Sequence, residues 1–596
     1  MIKKTIIATL LSFTTASMMA IPAQKSTITY QLPDGSQIEV LLHGDETFHY
    51  TTLLDGTLVK EGEDGYLYYA RPNNKGFEST GAKVGEARNE KDSVKADNQR
   101  HAISKLRKKA FKRWSTVSRP EKLKETDIND QHGLVILVEF SNKKMARTRQ
   151  EYVNMLNQEG YSRDKSTGSA TDYFNESSYG KYKPVFDVYG PYTVSQPYEY
   201  YGENDSSGDD KNVPELIVEA CKLASADNDL TQYDYNNDGY IDGVYVFYAG
   251  EGEANGGKEN TIWPHRWVVD PEYNFDGDPD VGGVKVYDYA CSNEICKSYK
   301  SEIATDLEGI GTFVHEFGHV LGFRDHYSTS DSNTEIDPSN YDVMASASYL
   351  NYGRTPMAYN AYERMFMGWL TPTQLYPSGS GDEVTLRTID EGEAILITPD
   401  GSEHNLDGKQ PSPSTFYLLE NRTAKGWDYY SGYAGRKGAH GDSGLLITRI
   451  AYNAGRWEQN KVNAYRDSMG IVYMCNSVQK SSAREYYPMF PGSKIQTSVS
   501  FGSYSVKNIK LDEGTGAVSF TITDLDKHDS VNAITRPELK VWTRDGMIYV
   551  DNEIGDISVY NMVGVCVYRG KDTAIHVDRG VYIVSADGRT AKVAVR

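Results

Sequence analysis

Apolar and polar residues alternate through residues 26–70, and the alternation is interrupted by Asp34-Gly35, Asp55-Gly56 and Asp64-Gly65. A period of two describes strands with one buried face, and Asp-Gly pairs mark hairpin turns, so this stretch predicts a small antiparallel unit. Residues 86–130 are charged, with KLRKK at 105–109 and Lys112-Arg113, which predicts a solvated helix or linker. At Gly133 the character changes. Residues 134–140 form a continuous apolar run, the pattern of a strand covered on both faces, and mark the start of a second domain. Residues 183–191 predict a short strand and turn, and 243–248 another strand. Ile310, Phe313, Val314, Phe317 and Leu321 then recur at helical spacing, with Gly322 suited to a left-handed stop. Residues 356–368 predict a second helix with Pro356 in its first turn. Beyond Trp369 the patterning is of β type, as in 415–422 and 444–450, up to about residue 524. A polar linker at 526–537 precedes evenly spaced short strands, including 557–560 and 580–584, that fit a small β-sandwich.

Composition narrows the setting. A chain of 596 residues is several domains long, and a net charge of −20 argues against a nucleic-acid partner. Lys3 and Lys4, the apolar run 6–19, and Ala20 and Ala23 as cleavage positions read as a signal peptide, too short to span a membrane. No cysteine lies near its end to carry a lipid anchor. No later stretch is apolar for long enough to cross a bilayer, which predicts no transmembrane segment in the mature chain. Five cysteines, Cys221, Cys291, Cys296, Cys475 and Cys566, are too few for a disulfide scaffold, and the odd count leaves a free thiol. Cys291 and Cys296 either close a small loop or are buried and reduced.

The helix predicted at 310–321 carries the chemistry. In FVHEFGHVLGFRDHY, residues 313–327, His315 and His319 are four apart and share a helix face, so both imidazoles reach one metal ion, with Glu316 beside it. Beyond Gly322 the chain can fold back to offer a third ligand, Asp325, with His326 as its rival, leaving a fourth position for water. The bare five-residue motif occurs by chance on helices that bind nothing, but the extension through Gly322 and Asp325 is far more specific. Met344, in YDVMAS, stands where a methionine turn would lie beneath the metal. A zinc ion there activates water and polarises a carbonyl, Glu316 acts as general base, and Tyr349 or Tyr327 is placed to steady the oxyanion.

A second metal pattern lies upstream. In DYNNDGYID, oxygen side chains alternate and the sixth position is glycine, which wraps a loop around calcium through Asp234, Asn236, Asp238, the Tyr240 carbonyl and Asp242. Tyr245 stands where a bidentate glutamate is usual. The plain alternative is a polar turn before the strand at 243–248.

With these motifs assembled, the chain resembles secreted zinc metallopeptidases of the immune inhibitor A type. The resemblance rests on ILVEFSN, the Gly-Ser-x-x-Asp-Tyr-Phe block at 168–174, SYGKY, DVYGPY, YDYNNDGYIDG, IWPHRW, VHEFGHVLGFRDHY and YDVMASASY, and covers roughly 130–450. It implies an α/β (α+β), metzincin-like zinc peptidase domain with β-rich flanking domains, acting on protein or peptide substrates. The expected divisions are a signal peptide at 1–23, a propeptide-like β unit with basic linker at 24–130, a catalytic domain at 131–375, a β-rich region packed on it at 376–525, and a C-terminal β-sandwich at 538–596. That last domain resembles a type IX secretion sorting domain through Val559-Tyr560-x-x-x-Gly564 and GVYIV at 580–584, which implies the secretion machinery as a partner and a secreted or cell-surface bacterial protein. The N-terminal unit is expected to hold a zymogen latent, by a carboxylate such as Asp45 or by steric cover. Two other readings stand beside the peptidase: an adhesin on a catalytically silent peptidase fold, and a metal-dependent hydrolase of other bonds. The intact ligand set and Glu316 weigh against the first, and the surrounding blocks against the second.

Overall fold

A computed structural model describes residues 15–596 apart from 17–18, 25–26, 87–93, 115–116, 119–131, 206–207, 272, 297–306, 330–337, 433–440, 466–469, 475, 481–482, 528–538, 551–554, 563 and 587–588. Lys3, Lys4, Cys475 and most of the linker expected at 526–537 lie outside the described residues. The chain divides into two compact units, Met1–Leu525 and Asp526–Arg596.

A six-stranded sheet organises the first unit, in the order Val185–Thr193, His132–Glu139, Val244–Glu251, Asp288–Ile295, His265–Val268, Met19–Ala20. The first four strands are parallel. His265–Val268 runs antiparallel to its neighbour, and Met19–Ala20 runs antiparallel to it in turn. Side chains of His132–Glu139 alternate between two cores. Leu134, Ile136 and Val138 meet Val246 and helix Val213–Ser225 on one face. Val135 and Leu137 meet Phe247 and helices Arg149–Asn157, Ala170–Ser177 and Gly311–Val320 on the other. Helices on both faces are why this strand reads as an unbroken apolar run. The Gly-Ser-x-x-Asp-Tyr-Phe block is a helix start. Ser169 accepts from the Asp172 amide, Asp172 accepts from that of Ser169, and the reciprocal pair caps Ala170–Ser177.

N-terminal to this lies an antiparallel meander, Ile28–Gln31, Gln37–Asp45, Phe48–Leu53, Leu58–Glu61, Leu67–Pro72 and Phe77–Lys83, paired in sequence order. Gly35, Gly56 and Gly65 take φ of +85°, +81° and +74° at three of its turns, as the Asp-Gly pairs require. Helix Arg100–Trp114 packs on it through Ile103 and Leu106. The expectation of a wholly solvated basic run fails at Arg107, which is 4% exposed. Its guanidinium is held by Asp45 at 2.5 Å and by the carbonyls of Ser328 and Thr329. A buried charge that is paired and fully hydrogen-bonded is tolerated where a bare one is not.

Residues 370–525 form two larger sheets with a shared core, beside a two-stranded hairpin of Asn476–Lys480 and Ala483–Tyr487. One contains Ile395–Ile397, Thr415–Arg422, Gly444–Ala451 and Ile471–Tyr473, and the other Asp382–Leu386, Val499–Phe501, Tyr504–Leu511 and Val518–Asp524. Arg422, fully buried, joins them to the central unit by donating to the carbonyls of Ala358 (2.8 Å) and Tyr359 (3.2 Å) while pairing with Asp428 (2.6 Å) and Glu420 (3.2 Å). This corrects the helix expected at 356–368, which forms only as Ala361–Phe366. Arg422 takes the two carbonyls ahead of it, and Asn360 caps the helix by accepting from the amides of Tyr362 and Glu363.

In Asp526–Arg596, the strands Val541–Arg544, Met547–Val550 and Ala574–His576 form one sheet, and Ile557–Asn561, Cys566–Gly570, Gly580–Ala586 and Arg589–Val595 another. Ile548, Val559, Ile575 and Val584 share one core. Cys221, Cys291, Cys296 and Cys566 are free thiols, so no loop is closed between Cys291 and Cys296. Among the described residues no helix is long and apolar enough to cross a membrane.

Candidate metal centre

Helix Gly311–Val320 starts where two backbones touch. A Cβ on Gly311 would lie 1.9 Å from the Ser348 carbonyl oxygen, so glycine permits the approach. Phe313 and Phe317 anchor one side, both edge-on to Phe186 with ring centroids 5.0 and 5.4 Å away. The other side carries His315, Glu316 and His319, all essentially inaccessible to solvent. His315 donates from Nδ1 to the Val343 carbonyl (2.7 Å) and His319 from Nδ1 to that of Phe323 (3.0 Å). With Nδ1 protonated in both rings, each Nε2 keeps its lone pair. Gly322, at φ +101°, ends the helix, and the chain turns back to bring Asp325 Oδ1 within 3.2 Å of His315 Nε2 and 3.4 Å of His319 Nε2.

Four buried atoms here have no hydrogen-bond partner: Nε2 of His315, Nε2 of His319, Asp325 Oδ1 and Glu316 Oε2. Orphaned acceptors are rare in protein interiors, and a converging set of two imidazole nitrogens and a carboxylate oxygen is the donor set of a zinc site. The residues fit the ion. An oxygen of Glu316 also falls within 4.8 Å of the histidine nitrogens. Both carboxylates thus stand beside the two histidine nitrogens. His326 turns away and places Nδ1 2.8 Å from Asp342 Oδ2. The amide of Met344 donates to Asp342 Oδ1, and its carbonyl accepts from the His326 amide. Its sulfur packs beneath the helix, 3.1 Å from where a Cβ on Gly318 would stand.

Without a metal, the charges settle among themselves. Burial disfavours a charged His315, but Asp325 and Glu316 overcome this and raise it to about 9. Burial pushes Glu316 up to about 8 despite His315. Burial would raise Asp325 too, yet the two histidines hold it well below the usual carboxylate range. His319 is lowered, chiefly by burial.

The N-terminal segment lies across this site. Ala20 and Met19 pair with His265 and Arg266 at the free edge of the central sheet, and the next residue, Ile21, donates its amide to Glu316 Oε1 at 2.8 Å. The Ile21 carbonyl accepts from Trp263 Nε1 (3.0 Å), and that of Pro22 from the Tyr349 hydroxyl (2.8 Å). Ile21 is fully buried. Of the two tyrosines weighed as oxyanion donors, Tyr349 reaches a carbonyl in the cleft, whereas Tyr327 is a buried side chain of the ligand loop. Asp45 is engaged elsewhere, through Arg107, Thr47 and the Phe48 amide. Its neighbour Glu46 is buried as well. Burial first, then Asp45, Asp325 and Glu316, keep it well above the usual range.

In the loop at 234–242, Asp234 accepts from the amides of Asp238 and Gly239, Asp238 from that of Tyr240, and Asp242 from the Tyr235 amide and the Asn236 side chain. Asn237 and Gly239 take φ of +54° and +88°.

Sequence reasoning missed Ile21, Glu46, Trp263 and Asn460, which bonds Asp325 from 135 positions away. Trp263 sits in the block IWPHRW, but nothing in its spacing says that its indole faces a cleft.

A buried helix with two histidines one turn apart and a carboxylate brought back beside them is the arrangement by which zinc peptidases hold their metal. Residues 120–370 match the immune inhibitor A peptidase M6 catalytic domain, the family the motifs resembled. The chain is 25% identical over 291 residues to pre-pro-metalloprotease PrtV of Vibrio cholerae serotype O1, covering 43% of this chain and 30% of that protein. It is 28% identical over 285 residues to immune inhibitor A of Bacillus thuringiensis subsp. alesti, covering 40% of each. The chain thus spans well under half the length of these relatives.

The N-terminal sheet docks partly through His49, which stacks on Trp263 (centroids 4.8 Å) with Nε2 3.0 Å from Glu253 Oε1. Burial opposes its charge, but Glu253, then Glu259, raise it to about 9. Glu253 is itself held above its usual range, mainly by burial. A raised histidine stabilises docking fully below about pH 6.5 and loses that contribution as pH rises through about 9, at most roughly 3 kcal/mol. In a chain nicked within 119–131, the N-terminal fragment should stay bound on size exclusion at pH 6 and be released at pH 10. Retention independent of pH, or equal in His49→Gln, would contradict this.

Proposed function

We propose that this chain is a secreted zinc-dependent endopeptidase held latent by its N-terminal unit. The observation that carries the reading is the pair of buried Nε2 atoms of His315 and His319, which have no hydrogen-bond partner, with Asp325 Oδ1 3.2 and 3.4 Å from them and a Glu316 oxygen within 4.8 Å. His315, His319 and Asp325 hold the ion in a metzincin-like arrangement, with Met344 packed beneath as a methionine turn. Zinc bound there supplies a Lewis acid that acidifies water and polarises the scissile carbonyl. Glu316 takes the proton from the attacking water and delivers it to the leaving amine. Tyr349 steadies the developing oxyanion from the position where it now meets the Pro22 carbonyl. A protein substrate lies extended along His265–Val268, where Met19–Ala20 lies in the uncleaved chain.

Latency comes from steric cover rather than from Asp45. Ile21 occupies the base, and Arg107 binds the carbonyls of Ser328 and Thr329 just past the ligands. Of the two signal-peptide positions, cleavage after Ala20 keeps Ile21 in the cleft. The divisions 24–130, 131–375, 376–525 and 538–596 are retained on this reading, and the signal peptide expected at 1–23 ends at Ala20 instead, so that residues 21–23 stay with the N-terminal unit. The loop through Asp234, Asn236, Asp238, Tyr240 and Asp242 binds a bracing calcium ion, with the turn already shaped by its own amides. The C-terminal β-sandwich addresses the protein to secretion machinery, placing it outside a bacterial cell or on its surface. The family match over 120–370 and the name of the Vibrio cholerae relative, which includes both "pre" and "pro", support the enzymatic core of this reading.

Three outcomes are expected. The processed chain cleaves a protein mixture, a chelator stops it, and Glu316→Ala lowers the rate by at least about 100-fold; equal cleavage by the variant, or cleavage in excess chelator, would refute the mechanism. Removing the N-terminal unit by cutting within 119–131 raises activity, so an intact chain as active as the cut one would remove the case for latency. Adding calcium to metal-stripped protein raises Tm by several degrees through the 234–242 loop, and Asp234→Ala abolishes the rise; a shift that survives the substitution would place the ion elsewhere.

A further inference from the structure

The third ligand is fixed by a residue outside the segment that matches the catalytic domain. Asn460 follows the short helix Ala454–Glu458, in the loop between strands Gly444–Ala451 and Ile471–Tyr473. It is 3% exposed and takes φ of +52°, a left-handed conformation that asparagine tolerates better than most side chains. Its carboxamide embraces Asp325 from both sides. Oδ1 accepts the Asp325 amide at 2.9 Å, and Nδ2 donates to Asp325 Oδ2 at 2.5 Å. With Oδ2 bound, Oδ1 is the oxygen left facing the two histidines. The same loop grips the residues on either side. Arg324 Nε donates to the Trp457 carbonyl, Asn463 Nδ2 to the His326 carbonyl at 2.6 Å, and Thr329 Oγ1 to the Asn460 carbonyl at 3.2 Å.

We propose that Asn460 is a positioning residue of the metal centre, which presents Asp325 Oδ1 to the ion, so that the β-rich region completes the site. The inference rests on His315, His319 and Asp325 being the metal ligands. Only a carboxamide offers a donor and an acceptor side by side at this reach. Aspartate would set a second carboxylate against Asp325, and an aliphatic side chain would leave Oδ2 buried without a partner. Hydrogen bonds that orient a metal-binding carboxylate are typically worth 10- to 100-fold in metal affinity.

The test uses the full chain and Asn460→Gly, which keeps the left-handed backbone and deletes the side chain. Zinc affinity, measured by competition with a chromogenic chelator, should fall about 10- to 100-fold, and the visible absorption of the Co²⁺-loaded protein should shift. In an Asp325→Ala background the same substitution should cost almost nothing, because Asn460 acts through Asp325. A purely structural loss would lower affinity equally in both backgrounds and would overturn the proposal, as would unchanged affinity and spectrum in the single variant. If Asn460→Gly does not yield folded protein, Asn460→Ser gives the same comparison. A wild-type chain that binds no zinc would refute the metal centre itself, whereas a tightly binding wild type indifferent to Asn460 would refute this inference alone.

Discussion

Two hydrogen bonds set the orientation of the two motif histidines. The carbonyls of Val343 and Phe323 each take the Nδ1 proton of one motif histidine, and so the opposite nitrogens point inward with lone pairs exposed. Neither carbonyl would be in place without support of its own. Phe323 follows the left-handed glycine that ends the helix, and its amide closes onto the Gly318 carbonyl. Val343 belongs to a turn tied down by Asp342, which accepts from His326, Asn360, Tyr473 and the Met344 amide. The orientation of an imidazole thus depends on contacts two residues removed from it, in the way that outer hydrogen bonds tune metal ligands generally.

The second dependence is electrostatic. Asp45, Glu46, Glu316, Asp325, Asp342, Glu363, Glu420 and Asp428 are all buried in this unit, and so many buried carboxylates are costly unless cations or hydrogen-bond donors compensate. The compensating groups come from distant parts of the chain. Arg107 arrives from the N-terminal helix to neutralise Asp45, and Arg422 from a flanking strand to hold Glu420 and Asp428. Removing one partner of such a buried pair typically costs about 3–5 kcal/mol, because the other charge is left stranded. Residues up to 525 accordingly behave as one compact unit rather than as beads on a string.

Much of this was legible in the chain. The Asp-Gly turns place hairpins because only φ > 0 closes them, and both-face burial makes the strand at 132–139 stand out. His315 and His319 could be paired from helix geometry alone, because four residues is about one turn. Arg107 could not be read, since its counter-charge lies 62 positions away and a basic run looks solvated whether or not one member finds a partner. The helix at 356–368 was overestimated because its first carbonyls are claimed by Arg422, a contact that no local pattern records. Asn460 was invisible for the same reason. An asparagine in a polar loop carries no sign of what it faces.

The edge strand His265–Val268 has a consequence of its own. A sheet edge recognises a partner through amide and carbonyl groups that every amino acid shares, so whatever settles there is read as a direction and a length before it is read as a sequence. On the peptidase reading proposed above, selectivity comes from the few side chains flanking the strand, Trp263 and Tyr349 among them, and from whether a client chain can be drawn out straight.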